Sequence, residues 1–164
     1  MTKMKNKLSL FLLGFVLCFI VNSCSDDDDV ACPETFASMI INGELKEFQV
    51  YGRGINIREK GHALSFNLGA LNEPVNEETD IFIVLAYKKT GENIIEFFQY
   101  KQRNLNSNPI IGDFVNGEFE NVVTINTPDC FSATFSGRLN MNGEEFIITD
   151  GVLDITYDES FDAP

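Results

Sequence analysis

From Pro33 onward, apolar and polar residues alternate with a period of two, the pattern of β-strands that bury one face. The clearest example is residues 62–70, where Leu64, Phe66 and Leu68 alternate with polar neighbours. No segment has the spacing of an amphipathic helix. Strands are predicted over residues 34–41, 44–51, 55–58, 62–70, 80–89, 94–102, 118–126, 130–141, 144–149 and 152–157.

Glycines separate these strands. The motif Asn-Gly-Glu occurs three times, at residues 42–44, 116–118 and 142–144, each time after an apolar residue. Asn and Gly tolerate the positive φ angles of a two-residue hairpin turn, so we interpret the repeat as shared turn chemistry and not as a duplicated domain. Gly52 and Gly54 predict a corner, and Asp150-Gly151 predicts either a bulge or a further turn.

Two further segments stand out. Residues 81–86 are apolar on both faces, which predicts a central strand covered on both sides. Residues 72–79 read as a loop, and residues 103–117, rich in Asn with Pro109 and Gly112, predict a long loop that packs against the domain. Short strands joined by turns predict an all-β fold, a single antiparallel β-sandwich or partly open barrel of about eight to ten strands.

The N-terminus has a different pattern. Three lysines precede an apolar run at residues 8–21, which as a helix would span about 21 Å, less than the roughly 30 Å hydrocarbon core of a bilayer. A basic start followed by a short apolar run is typical of a cleaved secretory signal. The next four residues, Val21-Asn22-Ser23-Cys24, resemble the lipobox of bacterial lipoproteins, although Asn22 departs from the usual Ala, Ser or Thr.

This resemblance implies that Cys24 is the lipid attachment site and the first residue of the mature chain. The alternative is cleavage by an ordinary signal peptidase nearby, which would leave Cys24 as a free thiol. The four aspartates at 26–29 resemble the acidic tract that follows the acylated cysteine in many surface-exposed Bacteroidota lipoproteins, and they also suit a solvated spacer. Expected segments are a signal peptide (1–23), an acidic tether (24–33), an all-β domain (34–158) and an acidic tail (159–164).

The C-terminal part carries a second resemblance. Residues 131–137 and 147–157 resemble the C-terminal hairpin of a family of small all-β Bacteroidota lipoproteins of unknown function, with Leu153 where Phe is usual. The resemblance implies the anchor and the fold, and it carries no activity or site residues. The expected location is the cell envelope, attached by lipid to the outer membrane and facing outward.

Charge and cysteine content limit the partners. Without residues 1–23, nine basic and 25 acidic side chains remain, a net charge of −16. Such a field repels phosphate backbones, so nucleic acid is excluded as a partner, whereas cations, basic proteins and neutral glycans are permitted. After removal of Cys18 and acylation of Cys24, Cys32 and Cys130 remain, and an oxidising compartment favours a disulfide between them. The alternative is two separate buried thiols.

Candidate chemistry is sparse. The one histidine, His62, is expected to be an ordinary surface or strand-edge residue, and neither a zinc spacing nor a phosphate-binding loop occurs. Asp150 and Asp154 would lie about 13 Å apart on a regular strand, too far for a glycosidase pair. Calcium is chemically permitted but has no recognisable ligand spacing. With no Trp present, the candidate sugar-stacking rings are Tyr51, Tyr87 and Tyr100.

We therefore expect a non-enzymatic envelope lipoprotein that acts as a binding, adhesion or accessory module, with no cofactor, no metal site and no catalytic residues. The runner-up is an inhibitory or protective protein that masks a basic partner. The third hypothesis is a small hydrolase that depends on carboxylates.

Overall fold

The computed structural model describes residues 30–58, 61–71, 77–104, 110–141 and 143–160. The chain divides into two compact units, Met1–Val30 and Ala31–Pro164, and nearly all described residues belong to the second. Cys24, the lipobox resemblance, the acidic tract and residues 161–164 of the predicted tail lie outside the described residues. The expectations attached to them remain predictions.

The described chain contains nine strands and no helix, which confirms the all-β fold class. The strands are β1 (Phe36–Ile41), β2 (Glu44–Arg58), β3 (Gly61–Ala70), β4 (Glu77–Leu85), β5 (Gly91–Glu92), β6 (Ile95–Asn104), β7 (Ile110–Asn126), β8 (Cys130–Met141) and β9 (Glu144–Thr156).

Eight of these strands form one closed antiparallel barrel. Each long strand pairs with the next along the chain, and β1 also pairs with β9, so that the first and last strands meet. The pairing of β7 with both β6 and β8 completes the ring, while the two-residue β5 lies against the far half of β7. The sheet is therefore a closed barrel, whereas the sequence had left a sandwich or a partly open barrel as alternatives.

The barrel has two ends that differ in chemistry. At the end we call the mouth, β1, β3, β6 and β8 finish and β2, β4, β7 and β9 begin. At the opposite end, the base, the chain joins β1, and Cys32 forms the predicted disulfide with Cys130, with 5.7 Å between their Cα atoms. Backbone and side-chain contacts from Thr156 to Pro33 and Thr35 hold the segment before β1 at this base.

The core fills the middle and the base of the barrel. Interior positions of alternate residues carry fully buried side chains, as expected for a barrel of eight strands. The largest are Phe66, Phe131, Met39, Leu64, Leu68, Ile81, Ile83, Leu85, Leu139, Ile148, Leu153 and Ile155. Because these core residues and all described strand pairings lie within Ala31–Pro164, this unit contains what it needs to fold by itself.

Several sequence predictions about irregular segments are wrong. Residues 44–58 form one strand, because the register shift between Val50 and Gly52 is a bulge and not a corner. The described part of the long loop predicted at 103–117 is strand, since β6 ends at Asn104, β7 starts at Ile110, and the second Asn-Gly pair of the chain, at 116–117, lies inside β7. The run at 81–86 is not central, because a closed barrel has no central strand and Phe82 is half-buried on the outer face.

The hairpin and bulge predictions are confirmed in part. Asn42 and Gly43 have φ angles of 50° and 85°, which is the left-handed region that a primed two-residue turn needs. Gly143, at 88°, fits the same turn in the last hairpin. Asp150, at φ 50°, marks a bulge in β9, where the pairings to β1 and β8 both shift register. A Cβ at Gly151 would lie 2.6 Å from the ring of Phe135, so this bulge requires glycine.

Candidate functional site

The best candidate site is a cavity of about 260 Å³ inside the mouth of the barrel. It lies just below the size range of about 300–1,000 Å³ that is usual for small-molecule pockets. Some inward positions near the mouth carry small side chains, although Phe48, Tyr100 and Phe146 also line the cavity. Ala70 of β3 and Thr79 of β4 line the cavity at a level where a large side chain would close it. Gly112 of β7 is also small, and Met141 lies where its Cβ would be.

One wall of the cavity is apolar. It comes from the part of the barrel formed by β8, β9 and β1. Leu139 of β8 and Phe146 of β9 are paired in register there. Met141, Ile148 and Ile41 extend the same wall. Leu139, Met141 and Ile148 are almost completely buried, so the wall is already packed from behind by the core.

The other wall contains the polar side chains of the lining, from β2, β4 and β6, together with the apolar Phe48 of β2 and Ala70 of β3. The hydroxyl groups of Thr79 and Tyr100, both buried, lie 3.4 Å apart, and Gln102 is paired in register with Thr79. Lys46 of β2 is an inward position opposite Met39, which is fully buried. Its amine lies 3.5 Å from the Glu44 carboxylate at the rim.

Lys46 and Glu44 differ in how far their side chains are exposed to solvent. The Lys46 side chain is 23% exposed, whereas that of Glu44 is 73% exposed. An ion pair with one partner in water contributes only about 0–1 kcal/mol, because solvent screens it and both side chains lose rotamer freedom. Among the described residues of the lining, Lys46 is therefore the partly buried cation, and its contact with Glu44 is a weak, exposed one.

The base is a second polar region, with a different character. Arg53 points inward because the bulge in β2 places it opposite the buried Phe66, and its guanidinium donates a hydrogen bond of 2.7 Å to Asp158. Burial raises the pKa of the nearby Tyr157 phenol, and the positive charge of Arg53 opposes this shift. The base is packed by core residues and closed by the disulfide, so it offers no comparable cavity in the described chain.

The prediction for His62 is wrong. Its side chain is fully buried at the base, and its ring meets that of Tyr87 edge-on at 5.6 Å between centroids. Burial lowers the pKa of His62, because desolvation disfavours the imidazolium. The alternation placed His62 in phase with Leu64 and Phe66, and that parity was the signal that could have identified it as an interior residue.

The three tyrosines proposed as sugar platforms have different environments. Tyr100 is buried inside the barrel and Tyr87 is half-buried, with Lys88 5.2 Å from its ring centroid. Tyr51 is 69% exposed, and its ring lies so close over Gly69 on the next strand that a Cβ at Gly69 would overlap it. One face of Tyr51 is therefore used by the fold, and the structure assembles no set of aromatic rings on the described surface around it.

Asp80, on the outer face of β4, is hydrogen-bonded and ion-paired to residues of the neighbouring strands. Asp80 accepts a 2.6 Å hydrogen bond from Asn67, and Lys101 and Arg103 lie 3.8 and 3.4 Å from its carboxylate. Asp154 likewise accepts a hydrogen bond from Ser132. Within the described ranges, no group of three or more histidine, cysteine or acidic side chains could hold a metal ion. These carboxylates therefore have structural partners on the neighbouring strands.

Comparisons with models of protein families, with curated proteins and with solved structures found no match to this chain. Over the part of the chain that the structure covers, no helix has the length and apolar character to cross a membrane.

Proposed function

We propose that this chain is a non-enzymatic, lipid-anchored envelope protein that binds a small molecule in the mouth of its barrel. The observation that carries the proposal is the cavity of about 260 Å³, with an apolar wall on β8 and β9 and a polar wall on β4 and β6. Concave sites with an apolar lining and a few convergent polar groups are the usual form of small-molecule sites. The rest of the described interior is filled by the core, so within the barrel the mouth is where a ligand has room.

The position of the chain start supports the same proposal. The disulfide and the contacts of Thr156 hold residues 32–35 at the base. An anchor at Cys24 would therefore join the domain at the end opposite the cavity. The cavity thus lies at the other end of the described domain from residues 32–35, which lead into the proposed tether.

Binding of a neutral fluorescent probe tests the proposal. 1-N-phenylnaphthylamine brightens in apolar surroundings, and its emission should rise and saturate on titration with the purified domain, residues 31–164. Ala70→Leu should reduce the affinity by about tenfold or more, because the added side chain takes up part of the cavity. The unfolding midpoint in urea checks that the variant is folded.

Ala31→Leu is the matched control, because it is the same substitution at an exposed position at the other end of the domain. It should leave probe binding unchanged. Equal affinities for wild type and Ala70→Leu would place the binding elsewhere and contradict the proposal, as would the lack of any saturable binding by the wild-type domain.

A further inference from the structure

Apolar and polar side chains are distributed unevenly around the cavity, and this distribution limits which ligands would fit it. Most apolar side chains of the lining come from β8, β9 and β1, together with Phe48 of β2 and Ala70 of β3, whereas the polar side chains Lys46, Thr79 and Gln102 come from β2, β4 and β6. A molecule that satisfies both walls has an apolar body on one side and a polar group on the other. A purely apolar ligand would leave the hydroxyl, amide and ammonium groups of the polar wall facing hydrocarbon, which is unfavourable.

The charge of the polar wall is set by Lys46. Among the described residues of the cavity lining it is the one cation, and its side chain is more than three-quarters buried. Glu44, an acidic residue of the described lining, extends into water at the rim. An ammonium group that is withdrawn from water attracts an anion more strongly than an exposed one, because the local dielectric constant is lower.

The polar side chains of β4 and β6 that line the same cavity also suit an oxyanion. They are the hydroxyl groups of Tyr100 and Thr79 and the side-chain amide of Gln102, and they include donors that a carboxylate accepts from. A carboxylate head group at Lys46 would compete there with the exposed Glu44 carboxylate, which lies 3.5 Å from the ammonium. A cationic head group would instead face Lys46 and be repelled.

Resting on the proposed function, we propose that the cavity selects an anionic amphiphile, namely a carboxylate with a short or medium-length hydrocarbon chain. Its carboxylate contacts Lys46, and its hydrocarbon chain packs against Leu139, Met141 and Phe146. The modest volume of the cavity favours a single short chain over a diacyl lipid. This class of ligand is recognised against the strongly negative charge of the whole protein, so selection depends on the local charge at Lys46.

Three probes of equal chain length separate this inference from the proposed function. Calorimetric titration of the domain near neutral pH uses decanoate, 1-decanol and decyltrimethylammonium below their micellar concentrations. Decanoate should bind about tenfold or more tighter than the other two, although decanol is the more hydrophobic molecule. Equal binding of decanoate and decanol would overturn the anionic preference and leave the proposed function standing, whereas binding of none of the three would count against both.

A pair of lysine variants assigns the preference to one residue. Lys46→Met keeps the length of the side chain and removes the charge, so it should weaken decanoate binding about tenfold to a hundredfold and leave decanol binding unchanged or tighter. Lys89→Met makes the same change in net charge at an exposed position at the base end, and it should leave both affinities as in wild type. An equal loss in the two lysine variants would refute the role of Lys46. If Lys46→Met does not fold, the comparison of the three probes on wild type still decides the question.

Discussion

Removal of the Cys32–Cys130 disulfide should destabilise the domain through its unfolded state. In the native barrel, β1 is held by hydrogen bonds to β2 and β9, and β8 by hydrogen bonds to β7 and β9. None of these pairings needs the covalent link. The residues next to Cys32 keep their contacts with Thr156. The folded state should therefore persist without the bond, while the unfolded chain gains freedom.

The sequence separation sets the magnitude. The bond closes a loop across 98 residues, from the segment before β1 to the first residue of β8. In the chain-entropy model, a loop of this length stabilises the folded state by about 4–5 kcal/mol at 25 °C. For a domain of this size, that loss lowers the midpoint of thermal unfolding by roughly 15–20 °C. It is a large fraction of the roughly 5–15 kcal/mol that usually stabilises a domain.

Urea unfolding of the double variant Cys32→Ala/Cys130→Ala measures the effect. Replacing both residues avoids a lone buried thiol, since Cys130 is fully buried. Wild type unfolded in the presence of a thiol reductant is the matched control, because it loses the bond but keeps the sulfur atoms. The two should agree within about 1 kcal/mol. We also expect a steeper dependence on urea, because an uncrosslinked unfolded chain exposes more surface.

The reasoning would be refuted by a loss below about 1 kcal/mol in both samples with complete reduction verified by mass spectrometry. Such a result would mean that the unfolded chain stays compact without the bond, so that the loop-closure argument does not apply to this domain. A large loss in the double variant alone would instead assign the effect to packing around Cys130 and not to the crosslink.

Two further predictions concern the anchor and the buried histidine. Cys24 should incorporate an alkyne-tagged fatty acid in a bacterial host that processes lipoproteins. Cys24→Ala should abolish the label and release the protein from the membrane fraction. An unlabelled wild-type protein would contradict the lipobox resemblance. In the folded state the pKa of His62 lies below its ordinary value of 6.5, so the unfolded state binds more protons in mildly acidic solution. The free energy of unfolding should therefore fall as the pH drops through 6.5, with a slope that corresponds to at most one bound proton. His62→Gln should flatten the plot of unfolding free energy against pH between about 5.5 and 7, where no other side-chain type ordinarily titrates, and an unchanged slope would show that another group is responsible.

The all-β class and much of the strand pattern follow from the amino-acid sequence alone. Alternation identified β3 and β8 because side chains of a strand point to opposite faces with a period of exactly two residues. The first and last Asn-Gly turns followed from the φ angles that only a few residues adopt without strain. The cysteine pair could be proposed because removal of the signal peptide and acylation would leave just two thiols.

Tertiary structure decided how the sheet closes and where the cavity lies. Period-two patterns indicate which residues share a face but not which strand edges meet, so the β1–β9 pairing could not be read from the chain. Turn-forming residues concealed the strand character of residues 110–117 in the sequence. A strand forms there because the pairing of residues 110–114 with β6 and β8 overrides the local preference. The cavity is lined by Lys46, Tyr100 and Leu139, which lie far apart in the sequence and come together at one end of the ring only when it closes.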